Sequence, residues 1–265
     1  RSLRLIDMLW TIFTRRNEYE VAEVDVFSGP AFTWAYLSCW LLKSMKKNLL
    51  LTLHGGNLPA FSKKHSRIVS KALSWANLVI SPSGYLQSEM KRFRSDIVLI
   101  PNGIDIARYP FRERGVAQPN MVWLRAFHQI YNPSLAPEVI ARLHPHLDDL
   151  RLLMVGPDKG DGSLQTMFST ARQLGVEGSI DVIQGVAKEQ VPEMLNRGDL
   201  FLNTTNYDNT PVSVIEALAC GLCIVSTNVG GVPYLLEDGV DALLVPPNDP
   251  GAMAAAVTRI LTEPG

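Results

Sequence analysis

Two acids stand eight positions apart in NTTNYDNTPVSVIEALACG (203–221): Asp208 ahead of a short apolar helix, and Glu216 inside it. Thr210-Pro211 reads as the helix start, since Thr caps free amides and Pro favours the first helical position. Gly221 is placed to end the helix in a left-handed conformation. The amides around Val212, Ser213 and Val214 then lack carbonyl partners, and with the partial positive charge of the helix dipole they suit a phosphate. Arg125, after MVWL (121–124), is a candidate second phosphate ligand that can hold two oxygens at once. Glu216 lies too far along to cap, and a carboxylate beside bound phosphate suits the two hydroxyls of a ribose. Asp208 precedes the helix, where it can accept from sugar hydroxyls. The plainer alternative is an Asp in an ordinary turn and a Glu on a solvated face.

The elements that must position these residues alternate along the whole chain. Apolar runs VAEVDVF, NLLLTLH, LVISPS and IVLIP, then MVWLR, LRLLMVG, IDVIQG, DLFLNTT, CIVSTN and ALLVPP, read as strands. Helical patterns such as SRIVSKALSWA and SLAPEVIARL separate them. This α/β pattern predicts parallel sheets covered on both faces and doubly wound halves, with ligands beyond the carboxyl ends of the strands. The Pro- and Gly-containing, charged stretch PFRERGVAQPN (110–120) is the best boundary. It predicts domains at 1–110 and 121–265, a linker at 111–120, and a site in the cleft between two facing sheets.

The bulk properties narrow the class. At 265 residues, with 46% apolar and 19% charged residues, the composition is that of a globular protein. No apolar run approaches the roughly 20 residues of a membrane-spanning helix. Three cysteines make no disulfide scaffold, and a reducing, cytoplasmic compartment is expected. Cys220 and Cys223 form a C-x-x-C with no second half to complete a metal shell, so packing is the expected role. His144 and His146 are read as a solvated helix end. Charge is uneven: residues 1–110 carry 15 Lys and Arg against 8 Asp and Glu, and residues 111–265 carry 10 against 18. The basic clusters KSMKK, KKHSR and KRFR are either solvated helix ends or a face for anionic lipid or an anionic acceptor, each basic residue near such a membrane adding about 1 kcal/mol.

The full pattern, DNTPVSVIEALACGLCIVSTNVGGVPYLLEDGVDALLVPPND (208–249), resembles the retaining glycosyltransferases of family four. The match runs back through LRLLMVG, Arg125, PNGID (101–105) and the HGG beginning at His54, covering most of the chain. It implies the GT-B fold, with two Rossmann-like domains, and a retaining hexosyltransferase that needs no metal or other cofactor. The implied substrates are a nucleotide-diphosphate sugar and a glycan or lipid-linked acceptor. It implies that Glu216 binds the ribose, that Asp208 and His54 contact the transferred sugar, and that Arg125 holds the leaving phosphate. Pro211 and the amides of Val212, Ser213 and Val214 lie near that phosphate. Gly230 and Gly231 admit backbone close to the sugar, and Gly185 and Val186 lie near the base. The cysteine usage and the basic half together point to the cytoplasm, with contact at the inner face of the membrane if the basic clusters are more than solvated helix ends.

Several positions depart from the family pattern. Asp208 replaces the usual Glu, Ile130 and Tyr131 occupy the places of a phosphate-binding Lys, and Tyr234 follows the Gly-Gly-x-Pro where Glu is usual. His128 is then an auxiliary phosphate candidate. The chain also starts at a helix, RSLRLIDMLW, and ends at LTEPG, so the family's first strand and closing helices are expected to be missing. Two other readings stay open: a non-catalytic nucleotide-sugar-binding remnant, and a GT-B nucleotide-sugar epimerase.

Overall fold

The computed structural model describes residues 2–147 and 149–263. Contacts divide the chain into two compact units, Arg1–Asn102 with Asp208–Thr210, and Gly103–Tyr207 with Pro211–Gly265. All ten expected strands form, and every strand pairing is parallel.

The first unit runs α1 (Ser2–Thr14), β1 (Val21–Val26), α2 (Pro30–Ser44), β2 (Asn48–Leu53), α3 (Leu58–Lys64), α4 (Ser66–Trp75), β3 (Leu78–Ser81), α5 (Gly84–Met90) and β4 (Val98–Leu99). Its sheet has the order β1-β2-β3-β4. Leu49, Leu51 and Leu53 of β2 point to one face and are fully buried with Phe32, Cys39, Val69 and Leu73. Leu50 and Thr52, on the opposite face, are half-buried, so this sheet is covered more fully on one side. Among the described residues β1 pairs only with β2, and it borders an open groove of about 640 Å³ lined also by Met8, Ile12 and Trp34.

In the second unit the order is β5 (Asn120–Leu124), α6 (Leu135–Leu143), β6 (Arg151–Val155), α7 (Ser163–Gln173), β7 (Ile180–Ile183), α8 (Val191–Leu195), β8 (Leu200–Asn203), α9 (Val212–Ala219), β9 (Cys223–Thr227), β10 (Ala242–Val245) and α10 (Pro250–Thr262). The sheet order is β10-β9-β8-β5-β6-β7. Side-chain alternation sorts the central strands into two cores, as period-2 geometry requires. Met121, Trp123, Leu200 and Leu202 pack toward α6, α7 and α10. Val122, Phe201 and Ile224 pack toward α8 and α9 through Leu195, Val214 and Ala217. Burial on both faces is why these strands read as continuous apolar runs.

The segment 111–120, expected as a linker, is instead strapped onto the second unit. Asp199, just before β8, is buried with only 8% of its side chain exposed. It pairs with the guanidinium groups of Arg112 and Arg114, the latter at 3.2 Å, and accepts from the Gln118 amide at 2.9 Å. Arg114 also donates to the Cys220 and Gly198 carbonyls at 2.6 and 2.9 Å. A carboxylate inside protein must collect such donors, and the charged stretch that looked like solvated linker supplies them. Asp199→Ala is expected to cost about 3–5 kcal/mol, because it leaves Arg114 buried without a counter-charge. Urea unfolding checks this; a loss below about 1 kcal/mol would show that backbone carbonyls alone hold the strap.

Candidate functional site

The carboxyl ends of β5 and β6 meet α9 in the second unit. Beyond Leu124, the Arg125 amide continues the ladder to the Val155 carbonyl at 3.0 Å. Gly156 follows β6 at a point where an added Cβ would overlap the Arg125 carbonyl, so no other residue fits without moving the backbone. Around this crossing lies a cavity of about 290 Å³ whose lining includes Arg125, Tyr131, Gly156, Val186, Ser213 and Glu216. Four of the expected donor-binding residues, Arg125, Val186, Ser213 and Glu216, are thus brought together.

Tyr131 is one of the two residues, with Ile130, at the places where the resemblance leads one to expect a Lys, and its ring centroid lies 4.9 Å from the Arg125 guanidinium carbon. A cation held on an aromatic face loses freedom and keeps its charge. The Tyr131 backbone is fixed in turn: the Thr204 hydroxyl donates to its carbonyl at 2.7 Å, and the Trp123 indole donates to that hydroxyl at 2.8 Å. One side of the loop rests on Asp161, which accepts from the Gln129 amide at 2.8 Å and the Ser163 amide at 3.0 Å. These bonds, the Gln129 amide foremost, hold its carboxyl down to about 2. His128 spends its Nδ1 accepting from the Ile130 amide at 3.1 Å, and its Nε2 lies 3.7 Å from Asp161. It stabilises the loop and does not line the cavity.

α9 starts one residue later than the sequence suggested. Pro211 is the N-cap and Val212 the first helical residue, with no side-chain cap. The Thr210 hydroxyl donates instead to the Pro82 carbonyl at 3.1 Å. The Val214 amide, expected to face phosphate, bonds the Pro211 carbonyl at 3.0 Å. Val212 and Ser213 precede that first bond, and the buried Ser213 Oγ has no hydrogen-bond partner among the described residues. At the other end Gly221, with φ 77°, closes the helix. The Leu222 amide donates to the Ala217 carbonyl and the Gly221 amide to that of Leu218, the double bond pattern of a left-handed stop. Glu216 is buried, and the Tyr109 hydroxyl donates to its Oε1 at 2.6 Å.

The other expected residues lie elsewhere. Gly185, Pro211, Val212, Val214, Gly230 and Gly231 belong to the second unit but not to the cavity lining. Val214 points into the core, and Gly231 precedes a short turn over Val232–Tyr234. His54 is in the first unit, where its Nε2 lies 2.9 Å from Asp25 Oδ1 and its ring stacks on Phe27 at 4.9 Å and 16°. Asp208 clusters with the first unit and is buried, its Oδ1 accepting from the Asn209 amide at 2.8 Å. Burial raises both the Cys220 and Cys223 thiols, which makes them poor nucleophiles and fits the packing role. Among the described residues no three His, Cys, Asp or Glu side chains gather into a metal-holding group.

Residues 118–265 match the family model described as glycosyl transferases group 1. The chain belongs to that family. Residues 1–108 of this group 1 chain match a second family model, Glycosyltransferase Family 4. It is 27% identical over 175 residues to the D-inositol 3-phosphate glycosyltransferase of Mycolicibacterium smegmatis, covering 63% of this chain and 40% of that protein. The chain therefore spans about two fifths of the length of that curated relative. Its fold is similar to HepE of Anabaena in complex with UDP and glucose, with a TM-score of 0.80 at 17% identity, over 97% of this chain and 72% of that one. A sucrose-phosphate synthase of Thermosynechococcus elongatus gives a TM-score of 0.81 at 18% identity, over 98% and 69%. The two parallel-sheet units are the Rossmann-like units of the GT-B fold. Among the described residues, no helix of this group 1 chain is long and apolar enough to cross a membrane.

Two outcomes follow from the cavity's construction. Gly156→Ala forces β6 away from Arg125 and is expected to cost about 3 kcal/mol, or roughly 6–12 °C in Tm; calorimetric melting checks it, and an unchanged Tm would mean the crossing is loose. Asp161 is lowered from the usual carboxylate range, so its contribution is whole above about pH 4 and fades as pH falls through about 2. A carboxyl titration by NMR should place the midpoint near 2, and one near 4 would deny the loop its anchor.

Proposed function

We propose that this chain binds a nucleoside-diphosphate sugar in its second unit and serves a retaining glycosyl transfer to a glycan or lipid-linked acceptor. The observation that carries the reading is the single cavity joining a cation, a buried unpartnered hydroxyl and a buried carboxylate: Arg125, Ser213 and Glu216. Those three suit, in order, a diphosphate, its bridging or terminal oxygens, and a ribose diol. UDP is the first nucleotide to try, because HepE, similar in fold, has been solved with UDP and with UDP-glucose.

In the proposed reaction the bond from the sugar's anomeric carbon to the phosphate oxygen breaks, and the acceptor oxygen bonds that carbon from the same face. The acceptor proton passes to the departing diphosphate oxygen. Arg125 lowers the barrier by stabilising charge that grows on the diphosphate, and its fixed place on Tyr131 means little reorganisation is needed. His54 and Asp208 are assigned to the transferred sugar by the match of their motifs. His54 Nε2 is engaged by Asp25, which leaves Nδ1 as the ring nitrogen assigned to the sugar. No metal or other cofactor is assigned a role, and the basic clusters of the first unit are assigned to anionic membrane at the cytoplasmic face.

Isothermal calorimetry with UDP and GDP tests the reading. Glu216→Ala is expected to weaken binding about tenfold or more, and Asp208→Ala to lower turnover with little change in affinity. Unchanged affinity in Glu216→Ala would sink the ribose assignment. Binding without donor hydrolysis or transfer would favour a nucleotide-sugar-binding protein without catalysis.

A further inference from the structure

The phenol of Tyr109 does something that packing alone does not require. Its ring lies in the core around α8 and α9, among Val122, Leu195, Val214 and Ala217, where a Phe would fill the same space. The hydroxyl is therefore the atom that needs a reason, since a buried hydroxyl is unfavourable unless bonded. Its bond is to Glu216 Oε1, at 2.6 Å, inside the protein. We propose that Tyr109 is a positioning residue for the ribose-binding carboxylate: it occupies one oxygen of Glu216 and sets the carboxylate plane so that the other faces the cavity.

Three observations support the assignment, which rests on the nucleotide reading above. First, an ionised carboxylate offers about four acceptor sites, and a diol needs two of them in a fixed plane. A carboxylate free to rotate about its last bond would lose that alignment for part of the time. Second, Tyr109 is itself well held. Its amide donates to the Ile106 carbonyl at 3.0 Å, and three residues on, the Arg112 amide donates to the Cys220 carbonyl at 3.2 Å. Gly221 abuts the Arg112 carbonyl and the Phe111 ring, so the strap carrying Tyr109 is registered against the same helix that carries Glu216. Third, burial and the facing carboxylate push the phenol up to about 12, so the hydroxyl stays a donor across any working pH. Arg108, next to Tyr109 in the chain, pairs with Glu189 at 3.3 Å.

A purely structural hydroxyl would affect stability, whereas a positioning one affects recognition of the ribose. The experiment compares UDP with 2′,3′-dideoxy-UDP by calorimetry, using the full chain, or the guanine pair if the wild type prefers GDP. For Tyr109→Phe we expect UDP affinity to fall about five- to tenfold, with dideoxy-UDP affinity unchanged and the preference for the ribose form reduced. Equal weakening of both ligands, or no change in either, overturns the proposal. The wild-type arm separates it from the reading beneath it: a wild type that does not prefer UDP over dideoxy-UDP refutes the ribose assignment itself. Should Tyr109→Phe fail to fold, the pair Glu216→Ala and Glu216→Ala with Tyr109→Phe removes the carboxylate and its hydrogen bond from both arms. The two should bind UDP alike, and a further loss in the double variant means Tyr109 acts by some other route.

Discussion

A carboxylate cannot sit alone inside a protein, and the second unit is arranged around two that do not. Asp199 draws Arg112, Arg114 and the Gln118 amide onto the start of β8. That pulls the segment after residue 103 along the unit, and the same segment delivers Tyr109 to Glu216. The first carboxylate thus acts as a mooring, and the second receives its partner because the mooring holds. Each is costly to bury without its donors, so the two sites constrain the same stretch of chain from opposite ends.

The cavity shows how a parallel sheet turns backbone geometry into chemistry. Arg125, Gly156 and the start of α9 lie past the carboxyl ends of adjacent strands, where loops can depart without breaking the ladder. Gly156 lets two loop backbones touch, and the closeness of that contact carries Arg125 into the lining. The Tyr131 ring then restricts the guanidinium. Neither Ile130 nor Tyr131 supplies positive charge, so among the described residues lining the cavity Arg125 is the cation.

Sequence reasoning was strongest where local pattern and tertiary placement agree. The strands are dictated by runs of Val, Ile and Leu, and their parallel order by the helices between them. Glu216, Ser213 and Arg125 were legible because spacing along one helix and one strand end places them. What was hidden depends on partners distant in sequence. Thr210 has the chemistry of a cap, yet it bonds Pro82, far back in the chain. The charged stretch at 111–120 has the composition of a linker, and only the burial of Asp199 makes it a strap. Asp25 lies 29 positions from His54 and becomes its partner through the β1–β2 register, in which Val26 sits opposite Leu53. Tyr109 gave no signal, since its ring suits any core and its hydroxyl matters only once Glu216 is near.

The strand order of the second sheet also sets a timetable. β5 lies between β6 and β8, and β8 begins about 75 residues after β5 ends. At about 5–20 residues per second, a ribosome takes roughly four to fifteen seconds to supply that neighbour. During most of the interval one edge of an apolar central strand has no native mate, and α6 and α7 cover only one of its faces until α8 arrives just ahead of β8. The nascent chain is therefore most exposed to chaperones, and to misassociation, while the middle of its better-packed sheet waits for a strand still being made.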